Sequence, residues 1–368
     1  MSEVPAADSR AILLGEIEEM GGAERAVLAL SRWLTERGVA HHFVAYEDRA
    51  NFAAKAGHPI TVVELRPKMR ALNKIAALRR YFAGREGSPP PLTSGYQPAL
   101  HAAAAGVKGF HCLMHDTPSL FETPGLMKLS KRAGRYVLNK IIGHGLRSGG
   151  KTIVTSEYLR EDCLRVFGVQ AEIARMGGLS EAGAFRLRRI EGELRLLSVS
   201  RIEDNKRIDW ILRALAAMER EGLSGKVEWG FDVVGRGSQM EAMRGLAAEL
   251  GLESRVTFHG FVSDAELERI YGAAHLFLMP AVQGYGIPAV EALTRGLPVL
   301  LHRESGVSDI LLATPWATVI EGGEEGMLPG LRSSIGNAME ARQMGFALPE
   351  LPTEDEWAER VARLIGWV

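Results

Sequence analysis

Short apolar runs alternate with stretches of helical periodicity along the whole chain. Ala11 to Gly15, His42 to Tyr46, Ile60 to Glu64, Phe110 to Met114 and Thr152 to Ser156 read as strands of the first half. Leu194 to Ser200, Phe231 to Val234, Val256 to Phe261, His275 to Met279 and Gly296 to Leu301 read as strands of the second. Runs that are apolar at nearly every position belong to strands covered on both faces, as in parallel sheets. Between them lie helices: Ala23 to Arg37 places Ala26, Val27, Leu30, Trp33 and Leu34 on one face, and Glu157 to Phe167 and Asp264 to Tyr271 follow their strands directly. The alternation predicts an α/β chain of two doubly wound Rossmann-like domains facing across a cleft. A length of 368 residues with 46% hydrophobic content exceeds what one core comfortably fills. The predicted boundaries are 1–180 and 190–347, with 348–368 as a further helix carrying Trp357, Val361, Leu364 and Trp367 at helical spacing.

The chemistry concentrates between Ala273 and Val299. A buried strand ends at Pro280, Gln283, Gly284, Tyr285 and Gly286 form a turn, and Ile287, Pro288 and Ala289 to Thr294 start and continue a helix that Gly296 stops. Unpaired amides at such a helix start make an anion site, and the two glycines let a ligand approach the backbone. Glu291 lies about one turn into the helix, within reach of a hydroxyl beside a phosphate. Earlier in the same half, Arg201 and Lys206 stand in the loop after a strand, where a guanidinium and an ammonium together suit a diphosphate.

These residues resemble the signature of the retaining glycosyltransferases of family 4, which have the GT-B fold. Gly284, Tyr285, Gly286, Ile287, Pro288 and Glu291 match its glycine-rich turn and following glutamate; Gln283 stands where the family has an acid. The resemblance implies that Gln283 meets the donor sugar, the turn amides the diphosphate and Glu291 the ribose. Arg201 and Lys206 resemble the family's diphosphate-binding pair, with Ser200 in place of the preceding glycine. Phe261, ending Val-Thr-Phe-His-Gly-Phe, resembles the segment bordering the nucleotide base. Gly21, Gly22 and Glu24 match a turn after the first strand that closes on the donor or acceptor, and His115, before Asp116, resembles a histidine that contacts the donor sugar. Thr152 to Ser156 resembles the strand closing the first domain, whereas Ala-Arg-Met-Gly-Gly-Leu at 174–179 departs from the family's next element, and Gly306 to Asp309 resembles a glycine-rich turn with Asp in place of Glu. The last helix, by the same resemblance, returns to pack on the first domain. The implied activity is transfer of a hexose from a nucleoside-diphosphate sugar to a saccharide, lipid-linked or small-molecule acceptor. No cofactor and no metal are expected, because no Asp-x-Asp stands in a suitable loop. A glutamine hydrogen-bonds but brings no charge to a developing oxocarbenium ion.

Charge changes the picture in one respect. The net charge of -1 hides +7 over residues 1–180 and -8 over the remainder. Arg66, Lys68, Arg70, Lys74, Arg79, Arg80 and Arg85 fall in a stretch without a carboxylate, with Met69, Leu72, Ile75, Ala76 and Phe82 at helical spacing; Lys128, Lys131, Arg132, Arg135, Lys140, Arg147 and Lys151 form a second block. Both read equally as lipid-facing helices or as solvated faces packed on their own sheet. No nucleic acid partner is indicated. Cys112 and Cys163 lack metal-ligand spacing, and no apolar run approaches the ~20 residues of a bilayer span, so a cytoplasmic chain, peripheral at most to the inner membrane face, is expected. Two other functions use the same fold: a non-catalytic nucleotide-sugar binder, which Gln283 encourages, and a sugar-nucleotide epimerase, which it opposes. A dinucleotide dehydrogenase lacks its Gly-x-Gly-x-x-Gly after the first strand.

Overall fold

The computed structural model describes residues 5–6, 8–18, 20–67, 71–85, 87–115, 117–121, 129–176, 190, 192–221, 228–340 and 352–368. The chain divides into two compact units, Met1–Gly177 with Pro352–Val368, and Gly178–Leu351.

Among the described residues, the main sheet of the first unit has seven strands: β1 Arg10–Leu13, β2 His41–Ala45, β3 Val62–Glu64, β4 Leu92–Ser94, β5 His111–Met114, β6 Thr152–Val154 and β7 Glu172–Ile173. Their order is β3-β2-β1-β4-β5-β6-β7, every pairing parallel. The order reverses between β1 and β4, and in open α/β sheets ligands bind beside the carboxyl ends of strands at such a switch. Among the described residues, helices α1 Gly22–Glu36, α2 Ala71–Ala83, α3 Tyr96–Ala105, α4 Leu129–Leu146 and α5 Glu157–Phe167 accompany the sheet. The apolar face anticipated for α1 is the buried one, with Val27, Leu30 and Leu34 fully enclosed.

The second unit repeats the scheme with β8 Leu194–Val199, β9 Trp229–Val234, β10 Val256–Gly260, β11 Leu276–Met279, β12 Val299–His302 and β13 Ala317–Ile320. The order is β10-β9-β8-β11-β12-β13, all parallel, so its switch lies between β8 and β11. Helices α6 Ile208–Arg220, α7 Met240–Glu249, α8 Asp264–Ala273, α9 Ile287–Thr294 and α10 Met327–Met339 complete it. Leu194, Leu196, Phe231 and Val233 from the strands meet Ile211, Leu212, Leu215 and Leu331 from the helices in one core, each buried aliphatic side chain contributing roughly 1.5–3 kcal/mol.

Residues 354–364 form the last helix, which lies against α1 of the first unit. Thr353 and Glu356 cap it reciprocally, Trp357, Ala358, Val361 and Ala362 are buried, and Arg32 of α1 binds both Glu354 and Asp355.

The basic stretch before α2 differs from its expected pattern. Lys68, Met69 and Arg70 lie outside the described residues, Leu72 is 78% exposed, and the buried stripe is Lys74, Ala77 and Leu78. Lys74 turns inward because Glu16, just beyond β1, offers a carboxylate 2.9 Å from its ammonium, and the ring of Tyr46 lies beside it. Arg79 is spent on the carbonyls of Ala104 and Ala105. This helix therefore packs on its own sheet with part of its charge. In the second block Lys128 and the side chains of Lys131 and Arg132 lie outside the described residues; Arg135 donates to Tyr96, while Tyr136, Val137 and Lys140 are exposed. Replacing Glu16 with alanine strands the Lys74 charge among apolar neighbours, a loss expected to be on the order of 3 kcal/mol. Thermal or urea unfolding measures it, and a Glu16→Ala/Lys74→Met pair should recover most of the stability.

Candidate functional site

Two loops separated by some eighty residues in sequence meet because β8 and β11 flank the switch in the second unit's sheet. Arg201 to Arg207 leave the carboxyl end of β8, and Pro280 to Gly286 leave that of β11. Asn205 stitches them together: its carbonyl accepts from the amide of Val282 at 2.9 Å and its side chain donates to the Val282 carbonyl at 2.9 Å. At the centre the Lys206 ammonium donates to Gln283 Oε1 at 2.9 Å. Gln283 Nε2 donates in turn to Ser305 Oγ, 3.0 Å away, and approaches the sulfur of Met279. Burial, reinforced by the Arg201 charge, pulls Lys206 down to about 8. A carboxylate in place of Gln283 would oppose that shift; the neutral amide fixes the ammonium's position without offsetting its desolvation. Arg201 itself is exposed at the loop's start.

The turn before α9 is held from the β12 side. Gln283 donates its amide to the Glu304 carbonyl, Gly306 and Val307 donate to the carbonyls of Gln283 and Tyr285, and Gln283 and Ser305 form a parallel bridge. Thus the Gly306 to Asp309 turn, resembling a ligand loop, spends two of its amides on supporting the neighbouring turn. Gly284, Tyr285 and Gly286 are buried, with Ile287 half-exposed. Gly286 caps α9 at φ 116°. Pro288 has no N–H and Ala289 donates to the Gly286 carbonyl, so the helix start offers an anion the amides of Gly286 and Ile287.

Glu291 is half-exposed in the second turn of α9. Its charge lies close enough to Tyr271 to add to the effect of burial in raising that phenol. Phe261 is 74% exposed just after β10, with the Arg236 guanidinium 5.5 Å from its ring centre. The Gly235 and Gly237 pair, weakly specific as a motif, has a clear structural purpose. Cβ atoms there would lie 1.8 Å from the Ser200 carbonyl oxygen and 2.1 Å from that of Ile202, so only glycine lets β9's end press against the Arg201 loop.

The remaining candidates belong to the first unit. Gly21 caps α1, and its amide donates to Glu24 Oε2 at 3.0 Å, so the matched glutamate closes the glycine turn locally. Gly21 and Gly22 are exposed. His115 is half-buried directly after β5, on the same carboxyl edge of the sheet; Asp116 and the 177–179 segment lie outside the described residues.

The structure thus gathers Arg201, Lys206, Gln283 and the turn at 284–287 around the second switch point. Sequence reading missed Asn205, Arg207, Glu304 and Ser305, whose partners lie far away along the chain. Among the described residues no group of three or more His, Cys, Asp or Glu side chains is arranged to hold a metal, and no helix is long and apolar enough to cross a membrane.

Residues 20–176 match the family model "Glycosyltransferase Family 4", and residues 181–324 match "Glycosyl transferases group 1". A GDP-mannose-dependent alpha-(1-6)-phosphatidylinositol monomannoside mannosyltransferase of Mycolicibacterium smegmatis is 26% identical over 179 residues, 46% of each chain. A GDP-mannose:cellobiosyl-diphosphopolyprenol alpha-mannosyltransferase of Komagataeibacter xylinus is 32% identical over 158 residues, 42% of this chain and 37% of that one. The chain therefore spans less than half the length of these relatives in the matched stretches. Among solved structures, HepE of Anabaena in complex with UDP superposes with a TM-score of 0.69 at 14% identity, covering 98% of this chain and 100% of that one. The lipopolysaccharide outer core galactosyltransferase WaaB gives 0.65 at 14% identity, covering 96% and 95%.

Proposed function

This chain belongs to glycosyltransferase family 4, and on that premise we propose that it transfers a hexose from a nucleoside-diphosphate sugar with retention of anomeric configuration. One observation carries the reading: Lys206, from the loop after β8, reaches Gln283, beside the turn whose amides open α9. The diphosphate would lie against that ammonium and the amides of Gly286 and Ile287, with Arg201 at its exposed side. Their charge stabilises the departing diphosphate without a metal, the chief catalytic contribution such a site makes. As the bond from the anomeric carbon to the phosphate oxygen breaks, the acceptor oxygen bonds to that carbon on the same face and passes its proton to the departing phosphate.

Glu291 would hold the ribose hydroxyls, Phe261 and Arg236 would border the base, and Gln283, already bound to Lys206 and Ser305, would meet the sugar by hydrogen bonding alone. Both relatives described above are named for GDP-mannose, and several structural neighbours are described with UDP or a UDP-sugar; both bases belong in the trial. A lipid-linked or saccharide acceptor agrees with the exposed Tyr136, Val137 and Lys140 on the basic helix α4.

The direct test incubates the chain with radiolabelled GDP- and UDP-hexoses and a panel of saccharide and lipid-linked acceptors. Transfer supports the reading; nucleotide binding without transfer or hydrolysis across the panel would favour the non-catalytic binder, and an isomerised donor the epimerase. Replacing Glu291 with alanine should weaken calorimetric binding of the free nucleoside diphosphate about tenfold, the scale of one charge-assisted hydrogen bond.

A further inference from the structure

We propose that Arg207 is a positioning residue for Lys206, acting through Glu304. The proposal rests on the diphosphate role given to Lys206 above. Arg207 has φ 54° and ψ 38°, a left-handed conformation ordinarily left to glycine or asparagine. A strained residue next to a functional side chain persists when its surroundings over-determine it, and here they do. One guanidinium nitrogen donates to the Pro280 carbonyl at 3.2 Å and another to Glu304 Oε2 at 2.5 Å, while the group lies 4.2 Å from the Trp210 ring centre.

Glu304 is the joint. Its carboxylate holds Arg207, and its backbone carbonyl accepts from the amide of Gln283 at 3.1 Å. The Arg207–Glu304 link therefore runs parallel to the Lys206–Gln283 hydrogen bond, and the two brace the loops after β8 and β11 as one frame. Beneath it, His302 Nε2 faces the Gly322 carbonyl and its Nδ1 accepts from the Glu304 amide. Burial lowers the His302 imidazole below its ordinary range, and its ring meets Trp210 edge-on at 6.0 Å. Without the strut, Lys206 would keep its charge and lose its fixed place.

The experiment is calorimetric titration of the intact chain with GDP and UDP, comparing wild type, Lys206→Ala, Arg207→Gly, Arg207→Lys and the Lys206→Ala/Arg207→Gly double variant. Glycine adopts the left-handed backbone freely, so Arg207→Gly removes the strut without adding strain, and its melting curve verifies folding. Its affinity should fall about tenfold. Arg207→Lys, keeping a cation opposite Glu304, should recover part of the loss, and the double variant should bind no more weakly than Lys206→Ala. Wild-type affinity in Arg207→Gly, no recovery in Arg207→Lys, or losses that multiply in the double variant would overturn the proposal. Unchanged affinity in Lys206→Ala would instead overturn the diphosphate reading beneath it.

Discussion

Sugar transfer should fall by a factor of order 10² or more when Lys206 becomes alanine, the scale of losing one preorganised electrostatic donor. The ammonium is held by Gln283 in a half-buried place, so removing it leaves the departing diphosphate short of charge on that side. Steady-state rates with labelled donor measure the loss. The same residue predicts a pH dependence. Because burial and Arg201 bring Lys206 down to about 8, its charged form dominates below that value and disappears above it. The rate constant for the free enzyme, kcat/KM, should therefore decline as pH rises through about 8, and a bound diphosphate should move the corresponding limb of kcat upward. Lys206→Ala should lose the limb. In Gln283→Glu the limb should shift to higher pH, since a carboxylate favours the charged ammonium. An alkaline limb that stays in place in both variants would assign it to another group.

The second large effect belongs to Gly286. Its φ of 116° is one that side-chain-bearing residues rarely adopt, and a Cβ would lie 2.7 Å from Gln283 Nε2, 2.9 Å from the Met279 methyl and 3.1 Å from Ser305 Oγ. Gln283 cannot yield without giving up Lys206 or Ser305. Gly286→Ala should thus cost on the order of 2 kcal/mol in stability and lower donor turnover at least tenfold. Unfolding and rate measurements on the same sample separate the two. A variant as active as the wild type would show that the turn can move without harm.

What sequence could tell followed the range over which each signal acts. Strand and helix alternation is local, so the two parallel sheets and the placement of Gln283 to Glu291 at a strand-to-helix turn were readable. The meeting of Lys206 with Gln283 was foreseeable only through a family resemblance, because it depends on β8 and β11 becoming neighbours. Arg207, Asn205 and Glu304 gave no local sign: their hydrogen bonds reach 73 to 97 residues along the chain. Lys74 shows the opposite failure. A lysine in a carboxylate-free helix reads as solvated, yet Glu16, remote in sequence, draws it inward. Likewise the glycines at 235 and 237 look like an ordinary loop until the carbonyls of Ser200 and Ile202 are seen against them.

The return of residues 352–368 to the first unit means that no single cut yields that unit whole. A fragment stopping at Gly177 would leave bare the surface of α1 that the last helix covers, and should clump or melt early. Adding 352–368 as a separate peptide should restore it, with Trp357 fluorescence reporting the docking and Arg32 setting its sensitivity to salt.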